Sequence, residues 1–184
     1  VTSEVFTPAN LLTILRMALV PVFALCMLYG RPGWALVTFI AAALTDLLDG
    51  YIARWTQQQT TLGAWLDPMA DKLLLLTAFL ILTMPVFGLT HRLPVWLTVL
   101  VISRDVGIVL TVAIINLAVA PRTFRPSPLG KVATAVFLVT CFVTLLANYR
   151  PVAGWILDGL VYASLTLTLV SAADYLRRVT RSTP

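Results

Sequence analysis

Charge is scarce in this chain. Lys and Arg number 13, Asp and Glu 8, and charged residues make up 11% of the 184. A soluble domain usually carries about a quarter charged residues, so an ordinary soluble globule is excluded. Histidine occurs once and cysteine twice, and Cys26 and Cys141 each lie inside an apolar run. No disulfide framework and no zinc site is suggested, and the two cysteines read as small buried apolar residues. Low-complexity tracts, linkers and internal repeats are absent as well. Apolar sequence fills the chain instead, with 59% hydrophobic residues and a mean hydropathy of +0.92. That composition predicts an all-α polytopic membrane protein. The length suits one bundle, a single domain over residues 1–184.

Six apolar segments can be drawn, at about 11–29, 34–55, 66–86, 93–118, 128–148 and 152–175. Each is near the ~20 residues that a helix needs to cross a bilayer. Breakers separate them: Arg31-Pro32-Gly33, the stretch from Pro85 to Leu93, Pro121 to Pro128, and Arg150-Pro151. Glu4 precedes the first apolar run and no basic segment leads it, so no cleavable signal peptide is expected and the first span should stay attached. Charge predicts the orientation. Arg16, Arg54, Lys72, Arg122, Arg125, Lys131, Arg177, Arg178 and Arg181 fall to one side, and Arg31, Arg92 and Arg150 to the other. The side richer in cations is expected to be cytoplasmic, with both termini on it, and a bacterial inner membrane is the expected location. The net charge of +5 favours an anionic leaflet and anionic lipid substrates, with no nucleic-acid partner expected.

Half of the acidic residues crowd into one stretch: Asp46, Asp49, Asp67 and Asp71. Four carboxylates this close repel one another and resist desolvation unless cations neutralise them. Asp46 and Asp49 are spaced i,i+3 and Asp67 and Asp71 i,i+4, so each pair shares one face of its own helix. The polar segment from Trp55 to Leu62 can turn between them. Hard oxygen ligands of this kind suit Mg²⁺ or Mn²⁺, often as a pair.

The flanking residues add to this. Thr7-Pro8 looks like a helix start. Asn10, Thr13 and Arg16 then follow at intervals of three along one side. They read either as a capped helix with a cationic interfacial anchor, or with Asn10 and Thr13 against a polar ligand. On the second span, Asp46, Asp49, Gly50, Ala53 and Arg54 fall within about 140° of helix arc. Gly50 and Ala53 permit close approach of a ligand or of another helix. Arg54 offers a fork of donors for phosphate.

These residues fit the pattern D-x2-D-G-x2-A-R-x8-G-x3-D-x3-D at Asp46, Asp49, Gly50, Ala53, Arg54, Gly63, Asp67 and Asp71. The chain thereby resembles the CDP-alcohol phosphotransferase family, and its T-P-A-N-L-L-T-I-L-R start and six-span layout extend the resemblance over nearly its whole length. The resemblance implies a divalent-metal membrane enzyme, a homodimer in that family's manner, that moves a phosphatidyl group from a CDP-linked donor such as CDP-diacylglycerol to an alcohol and releases CMP. It implies Asp46, Asp49 and Asp67 as ligands of two Mg²⁺ or Mn²⁺ ions. Asp71 is implied as a ligand or near-ligand and as the base. Gly50, Ala53, Arg54 and Gly63, with Asn10 and Thr13, would shape the donor site.

The acceptor is read from the rest of the chain. In I-S-R-D-V, Arg104 either faces the site or pairs structurally. Being neighbours about 100° apart, Arg104 and Asp105 are not expected to face one point. Arg122, Arg125 and Lys131 are further headgroup candidates, with a solvated loop as the alternative for the two arginines. Two branches are similar. Phosphatidylglycerophosphate synthases use glycerol 3-phosphate and usually have a second lysine where this chain has Ala133, and an arginine deeper in span four, where this chain has the apolar run from Val106 to Val112. The I-S-R-D-V and K-V-x-T strings look like cardiolipin synthases of the mitochondrial type, whose acceptor is phosphatidylglycerol. Phosphatidylglycerol is the expected acceptor. A small transporter is the reading of a different class, but the carboxylates lie at one end of the spans and no inverted repeat is visible.

Overall fold

The computed structural model describes the backbone over residues 8–56, 61–118 and 128–182, and side chains at 11–46, 48, 70, 72–111 and 128–177. The described residues form six α-helices and no strand. These are α1 (Pro8–Leu28), α2 (Pro32–Thr56), α3 (Thr61–Thr83), α4 (Val95–Ala118), α5 (Pro128–Tyr149) and α6 (Gly154–Ser182), with a 3₁₀ turn at Pro85–Phe87. Each expected apolar segment corresponds to one helix. Two boundaries differ. α3 begins at Thr61, ahead of the expected residue 66, so Thr61 and Leu62 are helical, and at the other end Trp55 and Thr56 still belong to α2. The rest of the expected turn, residues 57–60, lies outside the described residues.

Among the described residues, the stretches Leu11–Leu28, Pro128–Tyr149 and Gly154–Arg177 are long and apolar enough to cross a membrane, and Pro32–Asp46 and Lys72–Thr83 are shorter apolar helices. The outer surface is apolar too. Leu11, Ile14, Leu15, Val22 and Leu25 of α1, and Val99, Val106, Val109 and Leu110 of α4, are all exposed. Aliphatic side chains covering whole helix faces suit contact with lipid tails.

The chain divides into two compact units. The first holds residues 1–92 and 141–151; the second holds 93–140 and 152–184, so α5 contributes to both. In the first unit α1 packs along α2 and against α3. The turn from α1 to α2 has a definite cause. Gly30 takes a left-handed φ of 63°. Its N–H then reaches the Met27 carbonyl at 3.1 Å, and the Arg31 N–H reaches the Cys26 carbonyl at 2.9 Å. This closes the last turn of α1 with its carbonyls satisfied, and Pro32 starts α2 at once. Phe23 and Phe39 then meet with ring centroids 5.8 Å apart. Phe23, Phe39, Leu74, Ala78, Phe79 and Leu82 form the core of this unit, each nearly or wholly buried. Gly33 lies against Tyr149 so closely that an added Cβ would stand 3.0 Å from the ring.

The second unit has a more polar interior. Ser164, Thr168 and Ser171 are buried along α6. With Tyr175 they recur at i, i+4, i+7 and i+11, one face of the helix. The Thr140 and Ser164 hydroxyls share a hydrogen bond of 2.9 Å. Thr140, Thr168 and Ser171 also bond carbonyls of their own helices. No hydroxyl in this set needs water, which suits a helix interface in lipid.

Candidate active site

Two contacts align α1 and α2 antiparallel. Phe23 meets Phe39, and seven residues away along each helix Arg16 meets Asp46. The Arg16 guanidinium lies 2.9 Å from one Asp46 carboxylate oxygen, and the side chains are 0% and 34% exposed. Arg16 is therefore not an interfacial anchor, nor a loop charge to be counted for orientation. It is buried against the first carboxylate of the acidic stretch. Thr13, one turn earlier on α1, is fully buried, as is nearly all of Thr45 beside Asp46. The Thr45 hydroxyl bonds the Ala42 carbonyl at 2.7 Å.

The remaining carboxylates follow from the backbone. Asp49, Gly50, Ala53 and Arg54 continue α2 beyond Asp46, and Gly63, Asp67 and Asp71 belong to α3. Both helices pack on α1. The side chains of these residues, and that of Asn10 on α1, lie outside the described residues. Ala70, next to Asp71, is wholly buried, and Lys72 on its other side is exposed.

Asp46 tests whether the stretch suits a divalent cation. Its carboxylate faces a buried guanidinium, and a third of the side chain stays open. The donor set of the stretch is carboxylate alone, without histidine or cysteine, as hard cations prefer. These features fit Mg²⁺ or Mn²⁺. Among the described residues no cluster of three metal-ligating side chains occurs.

The second unit holds the expected acceptor residue of α4. Arg104 is 10% exposed and lies 2.6 Å from an Asp105 carboxylate oxygen. Its Nε donates to the Ser171 hydroxyl at 3.2 Å. The two neighbours do meet, contrary to expectation, because the guanidinium is long enough to fold back across the 100° between their Cβ atoms. One turn on, the Tyr175 hydroxyl donates to the Ile108 carbonyl at 3.3 Å. Both pairs advance together along the chain, so α4 and α6 run parallel. Lys131, in the first turn of α5, is exposed, and Arg122 and Arg125 lie outside the described residues. Ala133 is wholly buried. A lysine there would put its charge into a packed interior, so the absence of a second lysine says less about the headgroup than expected. Sequence reasoning missed Ser171 and Tyr175. Their only signal was the polar period along α6.

The sequence model of the CDP-alcohol phosphatidyltransferase family matches residues 6–170. A probable phosphatidylglycerophosphate synthase of Mycobacterium tuberculosis is 36% identical over 184 residues, covering 94% of this chain and 81% of the relative. A CMP-forming cardiolipin synthase of Streptomyces coelicolor is 35% identical, covering 84% of this chain and 71% of the relative. The rat CMP-forming cardiolipin synthase is 37% identical, covering 77% of this chain and 51% of its own length.

Proposed function

Because the chain belongs to the CDP-alcohol phosphatidyltransferase family, we propose that it makes cardiolipin, with phosphatidylglycerol as the acceptor. The underlying reaction is the transfer of a phosphatidyl group from CDP-diacylglycerol to an alcohol with release of CMP, a step of phospholipid synthesis. One observation supports this acceptor. Arg104 is already neutralised by Asp105 at 2.6 Å. The run that follows it, from Val106 to Leu110, carries no cation and turns Val106, Val109 and Leu110 outward. α4 thus offers little net positive charge to a phosphomonoester. Phosphatidylglycerol carries a phosphodiester with a single negative charge, keeps its tails in the bilayer and presents a free terminal hydroxyl.

Asp46, Asp49 and Asp67 would hold the metals, with Asp71 at or beside them. When bound, two divalent cations would neutralise the donor pyrophosphate and stabilise the departing CMP. Asp71 would accept the proton of the attacking hydroxyl. Arg54 would grip phosphate through its fork, and Gly50, Ala53 and Gly63, with Asn10, would let the nucleotide approach the helices, whereas Thr13 is wholly buried and does not face the donor as expected. Lys131, Arg122 and Arg125 would face the acceptor headgroup. The family match spans both compact units, which supports one catalytic domain. Homodimer formation and a cytoplasmic site belong to the same proposal. Impermeant thiol reagents should spare a reporter cysteine at Ser127 and label one at Thr90 in intact cells, and the reverse would invert the topology.

The alternative, phosphatidylglycerophosphate synthesis from glycerol 3-phosphate, is favoured by the M. tuberculosis relative and its coverage of 94% of this chain. Purified protein with CDP-diacylglycerol, Mg²⁺ and each acceptor in turn separates the two. Cardiolipin and CMP are the expected products. Efficient use of glycerol 3-phosphate without cardiolipin would overturn the choice and leave the transferase chemistry in place.

A further inference from the structure

We propose that Arg16 is a positioning residue that restricts Asp46 to one free oxygen and thereby sets which cation the site prefers. The inference rests on Asp46 being a metal ligand. The Arg16 side chain is 0% exposed and its guanidinium lies 2.9 Å from an Asp46 oxygen. A guanidinium removed from water cannot release its counter-charge without a large penalty, so this contact persists when a cation arrives. The frame around it is stiff. The Phe23–Phe39 ring contact fixes the register of α1 on α2 two turns away. Buried Thr13 and Thr45 flank the pair on the two helices.

The consequence is geometric. One oxygen of Asp46 is committed to Arg16, so the carboxylate has one oxygen for a cation. Mg²⁺ demands near-octahedral coordination by single oxygens at short range. Ca²⁺ is larger and readily takes both oxygens of a carboxylate. Arg16 therefore disfavours the larger ion by denying it the two-oxygen mode. It also adds one fixed positive charge beside the acidic stretch. Arg16 is thus an outer-shell contact that orients a ligand, and loss of such contacts typically changes metal affinity about 10–100-fold.

Calorimetric titration of the full chain in lipid nanodiscs with Mg²⁺ and with Ca²⁺ tests this. Wild type should favour Mg²⁺. Arg16→Met should shift the ratio of the two dissociation constants toward Ca²⁺ by about tenfold or more. Arg16→Lys keeps the charge and a donor, and should hold the ratio within about threefold. Asp46→Asn should weaken both ions. If Asp46→Asn binds both as wild type does, the metal reading of Asp46 fails and the inference with it. If Asp46→Asn is defective but folded Arg16→Met keeps the wild-type ratio, the inference alone fails. Should Arg16→Met not fold, infrared difference spectra of Ca²⁺-loaded wild type decide, with Asp46→Asn as the blank. A one-oxygen carboxylate signature supports the proposal, and a two-oxygen signature overturns it.

Discussion

The two compact units bury polar groups in opposite ways. The first has an apolar core of rings and leucines, and an ion pair there joins a fully buried Arg16 to an Asp46 that stays 34% exposed. The second spreads its polarity along a seam of α6, where Ser164, Thr168, Ser171 and Tyr175 meet α5 and α4 through single hydrogen bonds. A seam closed on itself holds helices together. A buried cation joined to a partly exposed carboxylate fixes the position of that carboxylate. Under the proposed function, the metal chemistry would fall to the first unit and acceptor selection to the second.

The largest effect should come from Asp71→Asn, a change in the first unit. Loss of a general base lowers turnover by about 10²–10⁴-fold, while CDP-diacylglycerol binding should largely remain. Release of CMP measures the former and equilibrium binding the latter. A loss of equal size from Arg104→Met, in the second unit, would erase the proposed division.

Next in size is the stability of the ring contact. Phe23→Ala should destabilise the folded state by about 2–4 kcal/mol, since it removes the close contacts of a wholly buried ring and leaves a cavity. Reversible denaturation in mixed micelles reads this. A change below 0.5 kcal/mol would mean that the rings do not set the α1–α2 register.

Asn148 gives a sharper local test in the first unit. Its side-chain oxygen accepts from the His91 N–H at 3.0 Å, and its side-chain nitrogen donates to the carbonyls of His91 at 2.7 Å and Thr144 at 2.8 Å. Asn148→Leu deprives His91 of both backbone partners and should cost about 1–3 kcal/mol. Faster hydrogen exchange at the His91 amide is the specific readout. An unchanged rate would show that water replaces Asn148 without penalty.

The smallest effects belong to the seam. Ser171→Ala and Tyr175→Phe should each cost about 0.6 kcal/mol, at most ~1.7, because interhelical hydrogen bonds in membranes are individually weak. Ser171→Ala also frees Arg104 Nε, and should exceed Tyr175→Phe. The reverse order, measured in the same micelles, would place the stronger link at Ile108.

The apolar runs were enough to announce six helices, because a chain this apolar has few ways to satisfy its backbone except in helices. The fixed positions from Asp46 to Asp71 announced the family, because eight residue types at set spacings along two helices rarely coincide by chance. Pro8, Gly30 and Pro32 punctuate the chain where α1 and α2 start and stop, since φ and the lost N–H of proline act locally. The tertiary structure alone decided the partners. Arg16 could have been an anchor at the interface until α2 folded back and brought Asp46 to 2.9 Å. Arg104 and Asp105 were placed apart by helix geometry, yet a flexible guanidinium crosses that arc to within 2.6 Å. Ala133 could have faced a headgroup until packing buried it. Sequence spacing fixes which residues share a face of one helix. Which face meets which neighbour depends on long-range packing, and there the charges find their counterparts.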